Sequence, residues 1–239
     1  MLSINISLTP ENFKSFSHID NPIVVVVDIL RATSVISTAF HYGIKEIIPV
    51  STLENAKTFL NKENHIVAAE RNAQPLKDFD YGNSPFQYMN NNIKGKTLVL
   101  TTTNGTKAIN LASNYNIITA SFINVKSITE YLITSNRNII ILCSGWKGVF
   151  NLEDSIFSGL LCENILSSGK YASNCDSILA STYLYKLSKD DIFTFLSNSA
   201  HRIRLKHLNM EKDTEFCLNP SIESDIIPQL VGNKLISVY

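Results

Sequence analysis

Charged, amide and hydroxyl side chains follow four short apolar segments of this 239-residue chain, and they are the residues best suited to chemistry. If the apolar segments are buried parallel strands, their carboxyl ends meet at one edge of the sheet, where open α/β sheets bind ligands. We therefore predict one site built from these segment ends. The polar residues are Asp28, Arg31, Thr33 and Ser34 after residues 23–27; Glu70 and Arg71 after 65–69; residues 101–106 after 96–100; and Ser144, Gly145, Lys147, Glu153 and Asp154 after 138–143.

The carboxylates in this set predict a divalent metal site. Asp28 adjoins an apolar segment, where an unpaired ionised carboxylate would cost several kcal/mol, so it must be paired, hydrogen-bonded or bound to a cation. An ion pair with Arg31 is one such arrangement. Asp28, Glu153 and Asp154 offer the hard oxygen ligands that Mg²⁺ prefers, with Glu70 as a further carboxylate. We predict Mg²⁺ as the cofactor, although Glu153 and Asp154 could instead only favour the start of a helix.

Residues 101–106, with the sequence TTTNGT, favour phosphate binding. They combine hydroxyl groups, a glycine that lets the backbone approach a ligand, and a helix start with free N–H groups. We predict a catalytic role for Asn104, as for Asp28, Arg31 and Glu70, and substrate binding by Thr103, Gly105 and Thr106. The alternative is a threonine-rich turn that caps a helix. The patterns GxxxxGK[ST] and GxGxxG are both absent, so the standard nucleotide-binding loops are not supported.

Two arginines, Arg31 and Arg71, predict a polyanionic ligand because their planar guanidinium groups match phosphate, carboxylate and sulfonate oxygens. Arg31 lies one helical turn beyond Asp28, so we expect it near the metal and the phosphate. Arg71 begins the long polar loop at residues 70–89, and we expect it to bind a second anionic group. Lys147, His201 and Arg204 are further candidates for substrate binding, although a basic helix face explains His201 equally well.

Short apolar segments alternate with amphipathic stretches between residues 22 and 144, the pattern of β-α-β units around a largely parallel sheet. The later part of the chain is more helical from Glu153 onward, and its last two apolar segments could rejoin a sheet. We predict strands at residues 23–27, 46–50, 65–69, 96–101, 117–120, 138–143, 226–231 and 235–238, and helices at 33–42, 53–61, 105–112, 125–135, 153–168, 175–187, 190–197 and 200–218.

These elements predict an α/β fold with a largely parallel or mixed sheet flanked by helices. The more helical C-terminal part could form a second α/β subdomain. We therefore predict a single unit over residues 1–239, with a possible subdomain break near residue 150.

Composition excludes several other classes of protein. The chain has 21 basic and 21 acidic residues and a net charge of +0, so it has no overall field to hold a nucleic acid or an anionic membrane. Its longest apolar runs have five residues, against about 20 for a membrane-spanning helix. The first residues lack the pattern of a secretory signal, and we expect a cytoplasmic protein. The four cysteines form no CxxC pair, which argues for buried thiols and against zinc. A homodimer is the default expectation.

Five motifs in series resemble those of the 2-phosphosulfolactate phosphatase family. They are DILRATS at residues 28–34, GNSP at 82–85, TTTNGT at 101–106, CSG at 143–145 with Glu153 and Asp154, and DTEFC at 213–217. The resemblance covers residues 22–228. It implies an α/β fold peculiar to the family and a Mg²⁺-dependent acid phosphatase that converts 2-phosphosulfolactate to sulfolactate and phosphate, a step of coenzyme M biosynthesis.

The chain departs from the family pattern in two places. Ala69 stands where the family has a glycine before the Glu-Arg pair. The run SAHRIR at residues 199–204 matches the family's basic motif at His201 and Arg204 but departs from it at Arg202 and Ile203. Two alternatives therefore stay open: a phosphatase for another small 2-phosphorylated carboxylic acid, and a non-catalytic anion-binding domain. No DxD follows the first apolar segment, since Ile29 and Leu30 come after Asp28, which favours direct attack by water over an aspartyl-phosphate intermediate.

Overall fold

The computed structural model describes residues 1–238, apart from the side chain of Pro75. The strands are β1 (Leu2–Ser7), β2 (Ile23–Val27), β3 (Glu46–Pro49), β4 (His65–Arg71), β5 (Gln74–Pro75), β6 (Thr97–Thr101), β7 (Asn116–Ala120), β8 (Ile139–Cys143), β9 (Tyr171–Ala172), β10 (Pro228–Val231) and β11 (Lys234–Ser237). The α-helices are α1 (Ala32–His41), α2 (Leu53–Lys57), α3 (Gly105–Leu111), α4 (Val125–Ser135), α5 (Leu152–Leu166), α6 (Asp176–Ser188), α7 (Ile192–Phe195), α8 (Ala200–His207) and α9 (Glu211–Leu218).

Within residues 1–238 the strands form one mixed sheet of eleven strands, in the order β5-β4-β6-β3-β11-β10-β7-β2-β8-β1-β9. Strands β4, β6 and β3 run parallel to one another, and so do β7, β2, β8, β1 and β9. Helices follow most of these strands, as parallel connections require. The predicted α/β fold with a largely parallel or mixed sheet is therefore confirmed.

The hairpin β10–β11 joins the two parallel halves of the sheet. It pairs antiparallel to β3 through Leu235 and Ile47, and antiparallel to β7 through Gln229 and Ile118. The predicted return of the last apolar segments to a sheet is thus confirmed, and both strands lie in its middle. The division into a single unit with a possible break near residue 150 stays a prediction.

The sheet curves so that the ends of its two parallel halves approach each other. Strands β6 and β2 lie five positions apart in the sheet, which in a flat sheet would separate them by about 24 Å. Nevertheless Gly105, just beyond β6, lies against Asp28, just beyond β2: a Cβ on Gly105 would be 2.8 Å from Asp28 Oδ2. One apolar cluster contains buried residues from β2, β3, β4, β6, β7 and β8 together with α1 and α3. Curvature therefore brings strand ends that are distant in the sheet to one site.

Local sequence explains the elements that frame this site. β2 consists of one isoleucine and four valines, all buried, as expected for a central parallel strand. Asn151 caps the start of helix α5, since its side chain accepts a hydrogen bond from the N–H of Asp154. Helix α6 packs closely on α5 at Gly159, where a Cβ would lie 2.1 Å from the carbonyl oxygen of Ser181. Only glycine fits there.

Several predicted boundaries are wrong. Helix α2 ends at Lys57 and not at residue 61, and the helix predicted over 200–218 is broken into α8 and α9 around Asn209, which has a left-handed φ of 57°. Strands β1, β5 and β9 are not among the predicted strands. Cys143, Cys162 and Cys217 are buried and Cys175 is half-buried. Among the described residues, every helix is too short or too polar to cross a membrane.

Candidate active site

A small cavity lies where the two parallel halves meet. It leaves about 10 Å³ for the centre of a water-sized sphere, room for about one water molecule or small ion. The four residues predicted to be catalytic, Asp28, Arg31, Glu70 and Asn104, all line it. The full lining is Asp28, Leu30, Arg31, Glu70, Ala73, Asn83, Asn104, Trp146 and His201. The structure thus brings the ends of all four predicted segments, the fourth through Trp146, together with helix α8, around one space.

Asp28 is the buried acid at the centre of this cavity. Its Oδ1 accepts a hydrogen bond from the N–H of Ala32 at 3.3 Å, and its Oδ2 faces Gly105. Burial is the main reason that the pKa of Asp28 rises from 3.8 to about 6. The neighbouring His201 opposes this rise, whereas the nearby Glu70 and Glu153 add to it. The proximity of three carboxylates favours a proton or a cation among them.

Asp154 differs from Asp28 because both of its oxygens contact protein donors. Oδ1 accepts from the N–H of Ile29 at 2.9 Å, and Oδ2 accepts from the N–H of Gly145 at 3.1 Å and from the side chain of Asn151 at 3.0 Å. These contacts tie the ends of β2 and β8 to the start of α5. They give Asp154 a positioning role and offer little to a metal.

Glu153 is fully buried and contacts His201. Its Oε1 lies 2.5 Å from Nδ1 of His201, whereas its Oε2 is buried and has no hydrogen-bond partner among the described residues. A carboxylate that contacts one ring nitrogen of a histidine fixes the orientation of the ring. Glu153 can therefore orient His201 and still offer one oxygen to a cation.

Glu70 holds two loops together at the opposite side of the cavity. Its Oε1 accepts from the N–H of Ala73 and, at 3.0 Å, from the hydroxyl of Thr103, while its Oε2 accepts from the N–H of Thr103 at 3.2 Å. Thr106 exchanges hydrogen bonds with Thr102. The N–H and hydroxyl groups of Thr103 and Thr106 are thus already hydrogen-bonded within the protein. Of the polar side chains in residues 101–106, Asn104 is the one that lines the cavity.

Arg31 pairs with Asp213 of α9 and not with Asp28, so the local ion pair that was one possible arrangement for Asp28 does not form. Nη1 donates to Asp213, and Nη2 donates to the carbonyl oxygen of Ala73 at 2.8 Å. The second oxygen of Asp213 accepts from the hydroxyl of Ser84 at 2.9 Å. The guanidinium therefore fastens α9 to the segment at residues 72–90 while one side of it faces the cavity.

Arg71 is the last residue of β4, so its placement on a loop is wrong. It pairs with Gln74 of β5, and its guanidinium donates to the carbonyl oxygen of Glu70 at 2.6 Å and to the hydroxyl of Thr101 at 3.0 Å. The half-buried side chain thus bridges the ends of β4 and β6 and does not line the cavity.

Trp146 covers the cavity from a tight hairpin after β8. Its ring lies 5.1 Å from that of His201, and the guanidinium carbon of Arg204 lies 3.2 Å from the ring centroid. The N–H of Lys147, a residue with a positive φ of 49°, donates to Asn104 at 3.0 Å, and its ammonium lies 5.5 Å from the Trp146 centroid. Lys147, His201 and Arg204 are therefore gathered around one indole.

Comparison with known proteins identifies the family. Residues 7–233 match the family model described as 2-phosphosulpholactate phosphatase. The chain belongs to the 2-phosphosulfolactate phosphatase family. It is 39% identical to a protein of Caldanaerobacter subterraneus over 87% of each chain, 37% identical to one of Clostridium novyi over 98% of this chain and 99% of the relative, and 39% identical to one of Thermotoga petrophila over 89% and 90%. Each of these relatives is named a probable 2-phosphosulfolactate phosphatase.

The predicted family and enzyme class, a phosphoric monoester hydrolase, are confirmed by these matches. Three contributors to the phosphatase site were not among the predicted site residues: Asn83, Trp146 and Asp213. Asn83 lies in the GNSP motif and Asp213 in the DTEFC motif. Both motifs supported the family resemblance, but neither residue was assigned a role from the sequence. Trp146 is the single tryptophan of the chain and lies between Gly145 and Lys147, which was a signal available in the sequence.

For a phosphatase of this family, the residues at the cavity fit a divalent cation held by few protein ligands. Glu153 Oε2 is a buried orphan oxygen, and Asp28 lies close enough to Glu153 for the two charges to interact. Within residues 1–238, no group of three or more His, Cys, Asp and Glu side chains stands in a metal-binding arrangement. Mg²⁺ commonly uses one or two carboxylates and keeps its waters, so Asp28 and Glu153 are sufficient for the fit.

Proposed function

We propose that the chain hydrolyses 2-phosphosulfolactate to sulfolactate and phosphate in a Mg²⁺-dependent reaction. The observation that carries the proposal is the pair of buried carboxylates, Asp28 and Glu70, beside His201 and Asn104 at one cavity, in a chain that belongs to this phosphatase family. The buried Glu153 stands behind His201 and contacts its ring. Further parts of the proposal, by likeness to the family, are a role in coenzyme M biosynthesis and a cytoplasmic location.

Asp28 and Glu153 would hold the metal. When bound, Mg²⁺ neutralises charge that develops on the phosphoryl oxygens and supports attack by water. Burial first, and the neighbouring carboxylates second, raise the pKa of Asp28 and of Asp154. Asp154 fixes the main chain at Ile29 and Gly145, and so sets the position of Asp28 relative to Glu153.

The other residues bind the phosphate and move a proton. His201 contacts Glu153 through Nδ1, which leaves Nε2 as the ring nitrogen able to give a proton to the leaving alkoxide oxygen. Asn104 and the side of Arg31 that faces the cavity would hold phosphoryl oxygens. Trp146 excludes water from the space above them. No aspartate stands two residues after Asp28, so we retain direct attack by water.

Phosphate release from 2-phosphosulfolactate tests the proposal. We expect activity with Mg²⁺, loss of activity in excess chelator and recovery when Mg²⁺ is restored. Glu153→Gln should lose activity by about 100-fold, the order seen when a group that stabilises charge is removed. Full hydrolysis in chelator would contradict the metal assignment. Activity confined to other 2-phosphorylated acids would contradict the substrate, and no release from any of them would favour the anion-binding domain.

A further inference from the structure

Three arginines lie at or beside the site, and they differ in how much of each guanidinium is already used. Arg31 donates to Asp213 and Ala73, and Arg71 donates to Glu70 and Thr101. Arg204 is different: its Nε and Nη2 are buried, and neither has a hydrogen-bond partner among the described residues. Burying an unsatisfied polar group costs about 1–3 kcal/mol, more if it is charged, so such donors indicate an absent acceptor.

The two free atoms of Arg204 form a single binding edge. Nε–H and one N–H of Nη2 point the same way in the guanidinium plane, which is the geometry that binds two oxygens of one anion. The plane is held by the indole of Trp146, whose centroid is 3.2 Å from the guanidinium carbon. The chain therefore presents an oriented two-donor site before any ligand arrives.

Arg204 lines a second cavity beside the first, although its Nε and Nη2 are themselves not reached by solvent. The lining of this cavity includes Arg204, Glu153, Trp146 and His201, and the latter two also line the small cavity at Asp28. The half-exposed Phe150 stands at its mouth, so the space is open to solvent. A ligand with its phosphoryl group at Asp28 can thus extend a second group past Trp146 to Arg204.

The covalent structure of the substrate indicates which of its groups extends to Arg204. In 2-phosphosulfolactate the phosphate is on C2, the carboxylate carbon is bonded directly to C2, and the sulfonate sulfur is one bond further away on C3. The sulfonate therefore reaches furthest from the phosphorus atom. A large sulfonate also suits the weakly hydrated guanidinium on an aromatic face.

We propose that Arg204 binds the substrate's sulfonate through its Nε and Nη2, with the guanidinium held flat on Trp146. The inference rests on the proposed function, because it takes the sulfonated ester as substrate. It replaces the expectation that Arg71 binds the second anionic group. It also makes Arg204 the residue that distinguishes 2-phosphosulfolactate from 2-phospholactate, in which hydrogen replaces the sulfonate.

The test compares kcat/KM for these two substrates in the wild type, Arg204→Lys, Arg204→Gln and the control Arg202→Lys. Arg202 is on the same helix, stacks on Phe193 and pairs with Glu211, and among its buried guanidinium nitrogens only Nε lacks a partner among the described residues. We expect both Arg204 variants to lose about 10- to 100-fold on 2-phosphosulfolactate, the value of a charged two-point contact. On 2-phospholactate they should lose less than about threefold, and Arg202→Lys should keep the wild-type ratio.

Trp146 supplies a readout that does not depend on turnover. It is the only tryptophan in the sequence, so a change in emission reports on the surface that Arg204 covers. Titration with sulfolactate should change the emission of the wild type, while lactate at the same concentration should not. In Arg204→Gln the sulfolactate response should move to at least tenfold higher concentration.

The outcomes separate this inference from the proposed function. If Arg204→Lys and Arg204→Gln keep the wild-type preference for the sulfonated substrate, or lose the same factor on both substrates, Arg204 does not bind the sulfonate. If the wild type hydrolyses neither ester with Mg²⁺ but its fluorescence still responds to sulfolactate, the proposed function fails and the binding assignment stands. Equal urea midpoints for the variants show that a loss is not misfolding.

Discussion

Among single residues, the acids at the cavity share a buried environment and differ in what their oxygens contact. Asp154 accepts from two backbone N–H groups and an asparagine, Glu70 accepts from Ala73 and Thr103, and Glu153 keeps one oxygen without a partner among the described residues. Asp28 accepts one long hydrogen bond, from Ala32. Acids with unused oxygens are available for chemistry, and acids with used oxygens hold the main chain in place.

Asp28→Asn should separate stability from activity. Burial raises the pKa of Asp28 from 3.8 to about 6, so below 3.8 the acid is neutral in both states, and as the pH rises to 6 ionisation increasingly favours the unfolded state. In chelator at pH 7.5 the variant should therefore be about 1–3 kcal/mol more stable than the wild type, and at pH 4 most of that gain should disappear. Turnover should fall about 100-fold. Urea unfolding at both pH values measures the first effect.

Asp191→Asn is the matched control for this prediction. Asp191 caps α7 by accepting from the N–H of Thr194. Hydrogen bonds from the side chain and then the N–H of Thr194 lower the pKa of Asp191, opposite in sign to Asp28. The control should show no gain in stability at pH 7.5. If the Asp28→Asn variant is less stable than the wild type at pH 7.5, the ionised carboxylate of Asp28 stabilises the fold, contrary to this prediction.

The sequence could place the site residues but not their roles. Asp28, Glu70, Asn104 and Glu153 were predictable because apolar strands and the carboxyl-end rule point to them. The partners of Asp154 were not predictable, because Ile29 and Gly145 follow strands whose adjacency depends on the pairing of β2 with β8. Local sequence carries no information about such contacts between distant segments.

Among the elements, the long buried strands were predictable and the short ones were not. β2 and β8 are apolar throughout and buried along their whole length, whereas β5 and β9 have two residues each. A two-residue strand forms only by pairing with a neighbouring strand, and it is too short for its sequence to show an alternating hydrophobic pattern. The break between α8 and α9 likewise rests on one residue, Asn209, in the left-handed conformation.

Helix α9 should contribute strongly to the stability of the fold through Asp213, which pairs with Arg31. The ion pair between Arg31 and Asp213 is buried, with side chains 3% and 12% exposed, whereas the pair between Arg202 and Glu211 has its acid 49% exposed. Asp213→Asn should therefore cost about 3–5 kcal/mol in urea unfolding, because it leaves Arg31 buried without its acid. Glu211→Gln, on the same helix, should cost less than about 1 kcal/mol.

Ser84→Ala tests the hydrogen bond to the second carboxylate oxygen of Asp213. It removes one hydrogen bond to Asp213 and should cost about 1 kcal/mol. Equal losses for Asp213→Asn and Glu211→Gln would show that burial does not govern these two pairs.

For the molecule as a whole, the hairpin β10–β11 connects the half of the sheet that carries Glu70 and Asn104 to the half that carries Asp28. Leu235 is fully buried at this junction, opposite Ile47 of β3. Leu235→Ala should cost about 2–5 kcal/mol in urea unfolding, the range for a large buried aliphatic side chain. It should also lower kcat/KM, because the two halves that form the cavity lose part of their connection.

Val231→Ala is the control within the same hairpin. Val231 is 53% exposed, so its truncation should change stability by less than about 0.5 kcal/mol. If Leu235→Ala were as mild as Val231→Ala, the two halves would be held together elsewhere.

The position of this hairpin sets the order in which the protein can be completed during its synthesis. Every residue of the candidate active site, up to Asp213, precedes β10 in the chain, so all of them are made before the strands that join the two halves. Until residues 228–237 follow, β3 and β7 each have one side without a neighbouring strand, and such edges can pair with other chains. Pairing Leu235 with Ile47 also closes a very long loop, a slow event. The nascent chain therefore holds all the candidate site residues before it holds the strands that join the two halves, and in that interval the open edges of β3 and β7 can pair with other chains.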